Sequence, residues 1–536
     1  MSHLLDFKIR IPHLAIFALF LLTGLLPGCG ETALVPVIKP DNALLKNPEL
    51  IALEPSENAT KVKRNAKIVL SFNVPLDSLT LTVNAEDTQC SGTIQITSNN
   101  FLNCVRMNPL ELKDNNKKII LTPKGIYATQ KFHQIRLTAE IKNLNGVSLK
   151  KEITTNPGFK TTWSQQIGTP GDDSGMAVSV DPKGNIYLAG LTSANESGDK
   201  KDLFLAKYAP SGFLNWIQQA GFERPVTAAV LHQKKAGLIN LRAYSQEKES
   251  SAVILAVYAV DGKKIFSKTI KLNGTAPGNG LTMDKDGHIY IPAATPFNVM
   301  KISKTGKIIL GTELSPGLRI RALAADTENA LYITGSIKQS LDRKKIKGGS
   351  DIFLLKISQH GLKRWSRTFG TALNGSGTAL AIHSDQAVAV AGYIPQAESA
   401  AEGDAGAQDA FVVKYNSAGK QQWTYIFKGK NSEQSTVVLW TPEGELLVGG
   451  YTESSLKEQH HAGKEDAFLA KFDSAGKLLW LRQFGTEENE RPLGLALGRE
   501  GQIFVTGFTE GQMDGAKFSG GRDIFLVQFD KDGVKQ

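Results

Sequence analysis

The stretch DAFLAKFDSAGKLLW, Asp466 to Trp480, decides the fold, because related copies of it recur through the C-terminal two thirds of the chain. Each clear copy opens with Asp and an apolar run, continues through a Gly-containing turn and closes on Trp. The other clear copies are DLFLAKYAPSGFLNW (202–216), DIFLLKISQHGLKRW (351–365) and DAFVVKYNSAGKQQW (409–423). Two decayed copies, AVILAVYAVDGKKIF (252–266) and PFNVMKISKTGKIIL (296–310), follow the first, and DIFLVQFDKDGVKQ (523–536) is the seventh. A repeat spacing of about 40 to 58 residues indicates a repeat architecture, so seven units are expected.

Each unit divides into four β-type runs, which in the first unit are MAVSVDP, GNIYLAGLT, DLFLAKYAP and FLNWIQQAG, with Gly, Pro or Asp at the breaks. Four short antiparallel strands per repeat are typical of a propeller blade. In the third run, apolar residues occupy both alternating positions, as expected for a blade packed between two neighbours. The sequence therefore predicts a seven-bladed β-propeller over residues 160–536.

The two ends of the repeat region predict how the propeller closes. The last copy stops three residues after Gly533, before the Trp-bearing fourth strand of its relatives. The segment TWSQQIG (162–168) matches WIQQAG, WSRTFG and WLRQFG of the other units, but no earlier unit precedes it. We expect it to pair with the third strand of the last unit, which would remove exposed sheet edges.

The repeats resemble the SBBP-type β-propeller repeats of bacterial extracellular proteins through their Asp-x-Phe, Lys-Tyr, Ser-x-Gly and Trp pattern. Units one, four, five and six match this pattern best, whereas units two and three lack the Asp and the Trp. Five of the six Trp residues (163, 216, 365, 423 and 480) occupy the repeat position. Recurrence at one position of a repeat predicts a packing role for these side chains.

The region before the repeats reads as a small β-sandwich over residues 52–159. It contains the β-type runs KIVLSFN, SLTLTV, GTIQITS, KKIILTP and HQIRLTAEI, separated by turn residues. The order of these runs resembles the bacterial Ig-like (Big-type) domains of surface proteins, which implies a spacer or adhesion module. The predicted fold class is all-β, with this sandwich followed by the propeller.

The N-terminus has the features of an export signal. Lys8 and Arg10 precede the apolar run LAIFALFLLTGLL (14–26), which is too short to span a bilayer comfortably. Leu26-Pro27-Gly28-Cys29 resembles the bacterial lipoprotein cleavage motif, which implies a signal peptide at 1–28, a lipid on Cys29 and a tether at 29–51. The alternative is ordinary signal cleavage with Cys29 as a spare thiol. We expect an exported protein held in the cell envelope, at the outer membrane or cell surface, with the membrane as one partner.

Two cysteines remain, Cys90 and Cys104, fourteen positions apart. In an oxidising compartment a disulfide between them is the economical interpretation. A metal site there is less favoured because no cysteine or histidine cluster of ligand spacing accompanies them.

Composition and motifs favour binding over catalysis. The chain is globular in composition, with 41% hydrophobic and 21% charged residues, and its net charge of +10 is spread without a basic stripe interleaved with aromatics. No nucleic-acid partner is therefore expected. Asp residues that precede the third strands, and Asp284-Lys-Asp286-Gly287, are interpreted as turn residues in preference to acidic catalysts or a calcium loop. No nucleophile motif or phosphate cradle is present, so neither cofactor, metal nor enzymatic activity is predicted.

The candidate binding residues lie in long connections between the second and third strands of units four to seven. Long varied loops on a rigid frame commonly carry function, although they could also be tolerated insertions. The candidates are Lys338, Arg343, Lys344, Lys345, Lys347, His460 and His461. We expect a non-enzymatic protein that binds an unknown protein or polysaccharide. The alternatives are a propeller enzyme (glycosidase, lyase or quinone-dependent dehydrogenase) with its site in the central channel, or a scaffold subunit of an envelope complex.

Overall fold

The structure is a computed structural model that describes residues 46–536 apart from a set of short segments. The segments left out are 61, 65, 87–88, 126, 128–130, 194–200, 220–225, 235–237, 247–249, 274–279, 294–296, 343–345, 347–348, 371–373 and 397–406. The described residues form an all-β fold without an α-helix. In this part of the chain, no helix has the length and apolarity needed to cross a membrane.

The N-terminal unit consists of two sheets that share one hydrophobic core. Its strands are β1 (Leu50–Glu54), β2 (Val62–Lys63), β3 (Ile68–Phe72), β4 (Ile94–Thr97), β5 (Glu111–Lys113), β6 (Lys118–Leu121), β7 (Phe132–Leu137), β8 (Ile153–Thr154) and β9 (Phe159–Thr162). One sheet has the order β1-β3-β6-β5, and the other has the order β2-β9-β7-β4 with β8 added to β7. Ile68, Leu70 and Phe72 alternate along β3 toward the core, where they meet Tyr127 and Phe159. Alternating burial of this kind is expected when only one face of a sheet is covered.

Two local features of this unit differ from the sequence-based expectation. The predicted strand SLTLTV begins instead with a short 3-10 helix, Ser78–Thr80, because the side chain of Asp77 accepts a hydrogen bond from the Leu79 amide at 3.0 Å. The strands of the unit extend from Leu50 to Thr162, beyond the predicted limits of 52 and 159 at both ends. The C-terminal extension is β9, which pairs with both β2 and β7 and so belongs to the sandwich.

The repeat region forms seven antiparallel sheets of four strands, numbered sheets 1 to 7 in chain order. Sheet 1 contains β11 (Ser174–Val180), β12 (Ile186–Ser193), β13 (Lys201–Tyr208) and β14 (Leu214–Gln219). Sheet 2 contains β15 (Val226–Lys234), β16 (Leu238–Gln246), β17 (Ser250–Ala259) and β18 (Lys264–Asn273). Sheet 3 contains β19 (Thr282–Met283), β20 (Ile289–Pro292), β21 (Val299–Ile302) and β22 (Ile308–Thr312). Sheet 4 contains β23 (Leu318–Ala325), β24 (Leu331–Ile337), β25 (Asp351–Ile357) and β26 (Lys363–Phe369). Sheet 5 contains β27 (Ser376–Ile382), β28 (Val388–Pro395), β29 (Gln408–Tyr415) and β30 (Gln421–Phe427). Sheet 6 contains β31 (Glu433–Trp440), β32 (Leu446–Thr452), β33 (Asp466–Phe472) and β34 (Leu478–Phe484). Sheet 7 contains β35 (Glu490–Leu497), β36 (Ile503–Thr509), a second short 3-10 helix (Met513–Gly515) in the connection, β37 (Asp523–Phe529) and, from the front of the region, β10 (Gln165–Ile167). Four strands per unit are therefore present even in the decayed second and third copies.

The first and last parts of the repeat region meet in sheet 7. Strand β10 pairs antiparallel with β37, with Gln165 opposite Leu526 and Ile167 opposite Ile524. The predicted pairing of this segment is thus present in the structure. Strand β11 of sheet 1 also packs against β35 of sheet 7, and one hydrophobic cluster combines side chains of both sheets.

The recurring Trp residues pack on the Gly turn of the following sheet. The pairs are Trp163 with Gly212, Trp216 with Gly262, Trp365 with Gly419, Trp423 with Gly476 and Trp480 with Gly533. Each of these glycines has a φ between +74° and +92°, and an added Cβ would come within 2.6 to 3.2 Å of the indole. Glycine is therefore needed for both backbone conformation and space. The packing role predicted for the Trp residues is confirmed.

Candidate functional site

The connections between second and third strands emerge on the same side of the sheets as the connections between sheets. We call this side the loop face, and the long connections 338–350, 396–407, 453–465 and 510–522 define it in sheets 4 to 7. The opposite side, the turn face, carries the tight hairpins between first and second and between third and fourth strands. Of the predicted binding residues, the structure describes Lys338, His460 and His461, and these belong to the loop face.

The basic residues of the sheet 4 connection are only partly described. Lys338 is exposed directly after β24, and its amide donates to the carbonyl of Gly317 at 3.3 Å. Farther along, Leu341 is buried in the sheet 4 core, and the Asp342 carboxylate binds Lys363 and Ser366. The base of this connection is thereby held on the sheet. Arg343, Lys344, Lys345 and Lys347 lie outside the described residues.

The two adjacent histidines of the sheet 6 connection have different surroundings. His460 is exposed, whereas His461 is partly buried with Nδ1 at 3.4 Å from Asp466 Oδ2 and 3.2 Å from Gln483 Nε2. Within the described ranges, neither imidazole belongs to a group of three side chains suited to hold a metal. His461 therefore takes part in anchoring the loop, and His460 is left at the surface.

A glutamine of the fourth strand anchors each of the two best-described long connections. Gln483 in β34 donates to Asp466 Oδ2 at 2.8 Å and to the Ser454 carbonyl at 3.1 Å. Gln166 in β10 makes the equivalent contacts in sheet 7, to Asp523 Oδ2 at 2.8 Å and to the Gly511 carbonyl at 3.1 Å. The segment from the front of the repeat region thus reproduces the side-chain role of an internal fourth strand.

The Asp residues that open the third strands bind backbone amides of the preceding loop. Asp466 accepts from the Ala462 amide at 2.7 Å, and Asp523 accepts from the Ser519 amide at 2.9 Å. Both carboxylates are fully buried. These contacts stabilise the turns before the third strands, as the sequence predicted for these aspartates.

A second buried carboxylate, that of Glu490 at the start of β35, faces Asp466 across Gly485. An atom placed at the Cβ position of Gly485 would lie 2.7 Å from Asp466 Oδ1 and 2.5 Å from Glu490 Oε2. Burial raises the pKa of Glu490, and the Asp466 carboxylate adds to that rise. Like charges that share a site of low polarity favour a bound proton on one of them.

Pairs of acids in which one carboxylate raises the pKa of the other also occur at the two neighbouring seams. Burial raises the pKa of Glu433 in sheet 6 to about 6, with Asp409 of sheet 5 as a further cause. Burial also raises the pKa of Asp523 in sheet 7, and Asp173 at the start of sheet 1 contributes. Three successive seams below the loop face therefore each contain a pair of interacting acids, all of them buried except Asp409, which is partly exposed.

A cavity of about 320 Å³ lies between the first strands of sheets 1, 4, 5, 6 and 7. Its lining is apolar or small, apart from two threonines: Met176, Ala177, Val178, Ala322, Thr378, Ala379, Leu380, Thr436, Val437, Val438, Leu493, Gly494 and Leu495. None of these lining side chains is ionisable. The lining therefore offers surface and hydroxyl groups, but no acid or base, to a molecule in this space.

Two clefts on the turn face were not anticipated from the sequence. They have volumes of about 250 and 460 Å³, flank sheet 7 on its two sides and share the turn that contains Gly498, Arg499 and Glu500. In sheet 3 the equivalent positions hold Asp284, Tyr290 and Lys301, whose side chains contact one another; in sheet 7 they hold Gly498, Phe504 and Gln528. Gly498 and Gln528 are smaller than Asp284 and Lys301, which leaves space between sheet 7 and each of its two neighbouring sheets. The departure of Gln528 from the Lys of the repeat pattern is the signal that could have indicated these clefts.

The acidic turn of sheet 3 brings Asp284, Asp286 and His288 within 4.8 Å of one another. The Asp284 carboxylate already accepts from the amides of Asp286 and His288, at 3.1 and 2.8 Å, and it lies 3.5 Å from the Lys301 ammonium. These donors occupy the oxygens that a cation would need. The turn interpretation made from the sequence accounts for this group.

The cysteines divide between described and undescribed parts of the chain. A disulfide joins Cys90 and Cys104, whose Cα atoms are 4.7 Å apart. Cys29, the predicted lipidation site, lies outside the described residues.

Comparisons with known proteins agree with the two-part organisation. A bacterial Ig-like domain family matches residues 46–163, and the SBBP β-propeller repeat family matches residues 162–196. Regulatory protein FlaEY of Caulobacter vibrioides is 30% identical over 205 residues, which cover 34% of this chain and 22% of that protein. The similarity thus spans about a fifth of the relative's length.

Solved structures match a large share of the chain, but with low sequence identity and low TM-scores. A streptogramin B lyase structure matches 68% of this chain and 97% of its own, with a TM-score of 0.41 and 12% identity. The Pan2 WD40 domain of Neurospora crassa covers the same share of this chain and 95% of its own, with a TM-score of 0.39 and 10% identity. Neither likeness carries a functional conclusion. The family matches, in contrast, identify a bacterial Ig-like domain at residues 46–163 followed by an SBBP β-propeller repeat at residues 162–196.

Proposed function

We propose that the seven sheets form a closed seven-bladed β-propeller that binds a protein or polysaccharide without catalysis. In this proposal a lipid on Cys29 and a tether over residues 29–51 hold the Ig-like unit and the propeller in the cell envelope. The loop face is the binding surface. The likeness to a protein named as regulatory fits a role exercised through binding.

The single observation that carries the proposal is the way the long connections are anchored. Gln483 and Asp466 hold both ends of the sheet 6 connection, and Leu456 is buried between them, while Lys457 and His460 are exposed. A loop that is fixed at its base and variable at its tip presents side chains to a partner with little ordering cost on binding. The equivalent connection in sheet 7 is held in the same way by Gln166.

The enzymatic alternative would place its site in the central space. General acid-base or nucleophilic catalysis requires ionisable side chains that converge on a substrate. The cavity between the first strands favours the binding proposal, because the polar side chains among its described lining residues are those of Thr378 and Thr436. Turnover of a defined substrate by the purified chain would decide in favour of the enzyme.

Capture of partners from intact envelope tests the binding surface. The full chain would be compared with a variant in which Arg343, Lys344, Lys345 and Lys347 are replaced by Ser, leaving Ile346 in its packed position. A matched control replaces four exposed lysines of the turn face, Lys183, Lys285, Lys477 and Lys531, by Ser. We expect the loop variant to lose a partner that the wild-type chain and the control retain. Equal capture by all three chains would contradict the assignment of the loop face.

Mass spectrometry of the N-terminal peptide tests the anchor separately. We expect a mature chain that begins at Cys29 and carries acyl groups, and a Cys29→Ala variant without them. A mature N-terminus at another residue, with an unmodified Cys29 thiol, would contradict the lipid anchor.

A further inference from the structure

The outer strands of sheets 2 and 3 carry lysines and large apolar side chains on the same exposed surface. We propose that this surface docks on an anionic lipid bilayer. We name it the basic wall and define it as residues 260–273, which contain β18, and residues 303–312, which contain β22. The inference rests on the proposed membrane tether, because a tethered propeller is held close enough to a bilayer for weak contacts to form.

The apolar part of the basic wall is large. Ile265 is 56% exposed, Phe266 43%, Ile308 47% and Ile309 49%. Among the described residues of sheets 1 to 3 the exposed large apolar side chains are Phe213, Leu214, Ile217, Val260, Ile265, Phe266, Phe297, Ile308 and Ile309, whereas those of sheets 4 to 7 are Leu362, Leu479 and Val534. Exposed apolar side chains concentrated in one region mark a surface of interaction.

The basic part coincides with the apolar part. Residues 260–273 contain four lysines (263, 264, 268 and 271) and one aspartate, and residues 303–312 add Lys304 and Lys307 with no acid. All six lysines are exposed. The equivalent segment of sheet 1, residues 209–219, has no lysine or arginine, and that of sheet 6, residues 473–484, has one of each with one aspartate. That of sheet 4, residues 358–369, is basic as well, but the exposed large apolar side chain described there is Leu362 alone. The combination of positive charge with several exposed apolar side chains distinguishes the basic wall.

The two halves of the wall are connected. Lys268 Nζ on β18 donates to the carbonyl of Thr305 in the sheet 3 turn at 3.2 Å. Gly306 of that turn also lies against Ile270 of β18. The wall is therefore a continuous surface across two sheets.

Lipid fits this composition better than a protein does. Lys is depleted at protein–protein interfaces, whereas Lys beside apolar side chains is typical of membrane surfaces, where the alkyl stems lie among lipids and the ammonium groups meet the phosphates. In β18, Phe266 and Lys268 project on the same side, because side chains alternate along the strand after the register shift that follows Lys264. That side combines an apolar ring with a cation.

The N-terminal unit contacts sheet 1, and a long stretch of sequence separates it from Cys29. Arg64 of the N-terminal unit donates to the Ser211 carbonyl in the sheet 1 turn, next to exposed Phe213. Residues 29–45 precede the first described residue, and seventeen extended residues reach about 60 Å. This length allows the propeller wall to approach the bilayer that holds Cys29.

Lysines on an edge strand also have a simpler role, which is to prevent edge-to-edge pairing with another sheet. Any charged side chain serves that purpose, so replacement by Glu would preserve it. Lipid docking, in contrast, requires positive charge. Charge reversal therefore separates the two roles.

Vesicle binding of the full chain tests the proposal. The chain would carry Cys29→Ala in every sample, so that the result does not depend on lipidation, and vesicles would contain phosphatidylcholine alone or with one third phosphatidylglycerol. We expect the Lys264→Glu, Lys268→Glu, Lys271→Glu variant to lose affinity for the anionic vesicles by on the order of 100-fold. The matched control, Lys420→Glu, Lys477→Glu, Lys531→Glu, changes the net charge equally on sheets 5 to 7 and is expected to lose less than about 5-fold. Phe266→Ser is expected to weaken the binding that persists at high salt.

Equal losses in the two triple variants would overturn the proposal, because they would indicate general charge attraction without a defined surface. Equal binding to neutral and anionic vesicles, or binding unaffected by the wall lysines, would overturn it as well. Failure of Cys29 acylation would instead contradict the proposed anchor and leave the vesicle result intact.

Discussion

The backbone amide of Trp163 donates to the carbonyl oxygen of Gln536 at 2.9 Å, which connects the start of the repeat region to its last turn. The indole of the same residue packs on Gly212 of sheet 1, and its Nε1 donates to the Pro210 carbonyl at 3.2 Å. Trp163 thus bridges sheet 7 and sheet 1. Trp216, Trp365, Trp423 and Trp480 pack on the Gly turn of the following sheet in the same way, so the Trp163 contact is equivalent to those at four other seams.

Trp163→Ala is expected to destabilise the repeat region more than the same change at Trp423. Trp163 is 1% exposed, whereas Trp423 is only partly buried. Loss of a fully buried Trp costs about 3 to 5 kcal/mol, and Trp423→Ala should cost roughly 1 to 2 kcal/mol. Urea unfolding monitored by circular dichroism measures both. Equal losses would show that the Trp163 seam has no special weight.

Gly168→Ala is expected to destabilise the seam between sheets 7 and 1. A Cβ at this position would overlap Asp523 Oδ1, which is buried against the glycine. The required displacement should cost roughly 1 to 3 kcal/mol. Gly125→Ala is the control, since a Cβ there would meet nothing within 4 Å. Thermal unfolding of the two variants should differ, and identical midpoints would contradict the close packing at Gly168.

The stability of the repeat region is expected to fall as the pH rises through about 6. Burial, with a contribution from Asp409, raises the pKa of Glu433 to about 6, above its value in the unfolded chain. A raised folded pKa stabilises the protein fully below the unfolded pKa, and this stabilisation is lost as the pH rises through the folded value. For Glu433 the relevant window therefore runs from about pH 4.5 to 7.

Comparison with Glu433→Gln isolates this effect, because Gln does not titrate. The comparison is needed because another group titrates in the same range. Burial lowers the pKa of His133 in the N-terminal unit to about 4, so that the stability of this unit is lost as the pH falls below about 6.5. His133 is present in both chains, and its effect therefore cancels in their difference. The difference in unfolding free energy between wild type and variant should change between pH 4.5 and 7. A constant difference over this range would contradict the protonation of Glu433.

Removal of the disulfide is expected to destabilise the N-terminal unit. Cys90 and Cys104 are 14 residues apart, and closing a loop of this size stabilises by about 3 kcal/mol. A Cys90→Ala, Cys104→Ala double variant should therefore unfold its N-terminal unit at a lower denaturant concentration. Under reducing conditions the wild-type chain should approach the variant. A variant as stable as the oxidised wild type would contradict the contribution of this bond.

The features that were predictable are those that recur in the sequence. Four strands per unit and the pairing of residues 165–167 with the last unit follow from a pattern repeated seven times, so each copy supports the others. The role of Gln166 is also predictable from the repeat. Its segment QQIG (165–168) aligns with RQFG (482–485), in which Gln483 occupies the same position.

The features that were not predictable depend on contacts specific to one place. The 3-10 helix at Ser78–Thr80 depends on a single cap from Asp77, although its residues favour a strand. The extension of the sandwich to Thr162 depends on pairing with β2 and β7, which lie far away in sequence. The clefts beside sheet 7 arise where Gly498 and Gln528 replace the larger Asp and Lys of the equivalent positions in sheet 3, and a substitution at single positions is harder to recognise than a motif. The basic residues 343–345 and 347 stay a prediction.

Hydrogen exchange at residues 165–167 tests the central claim most directly, namely that this segment is the fourth strand of sheet 7. If it pairs with residues 524–526, amides that donate across this pair should exchange at least about 100-fold more slowly than in a free chain. They should then resemble the amides of β34 in sheet 6. Exchange at the rate of an unstructured peptide, while β34 remains protected, would contradict the account.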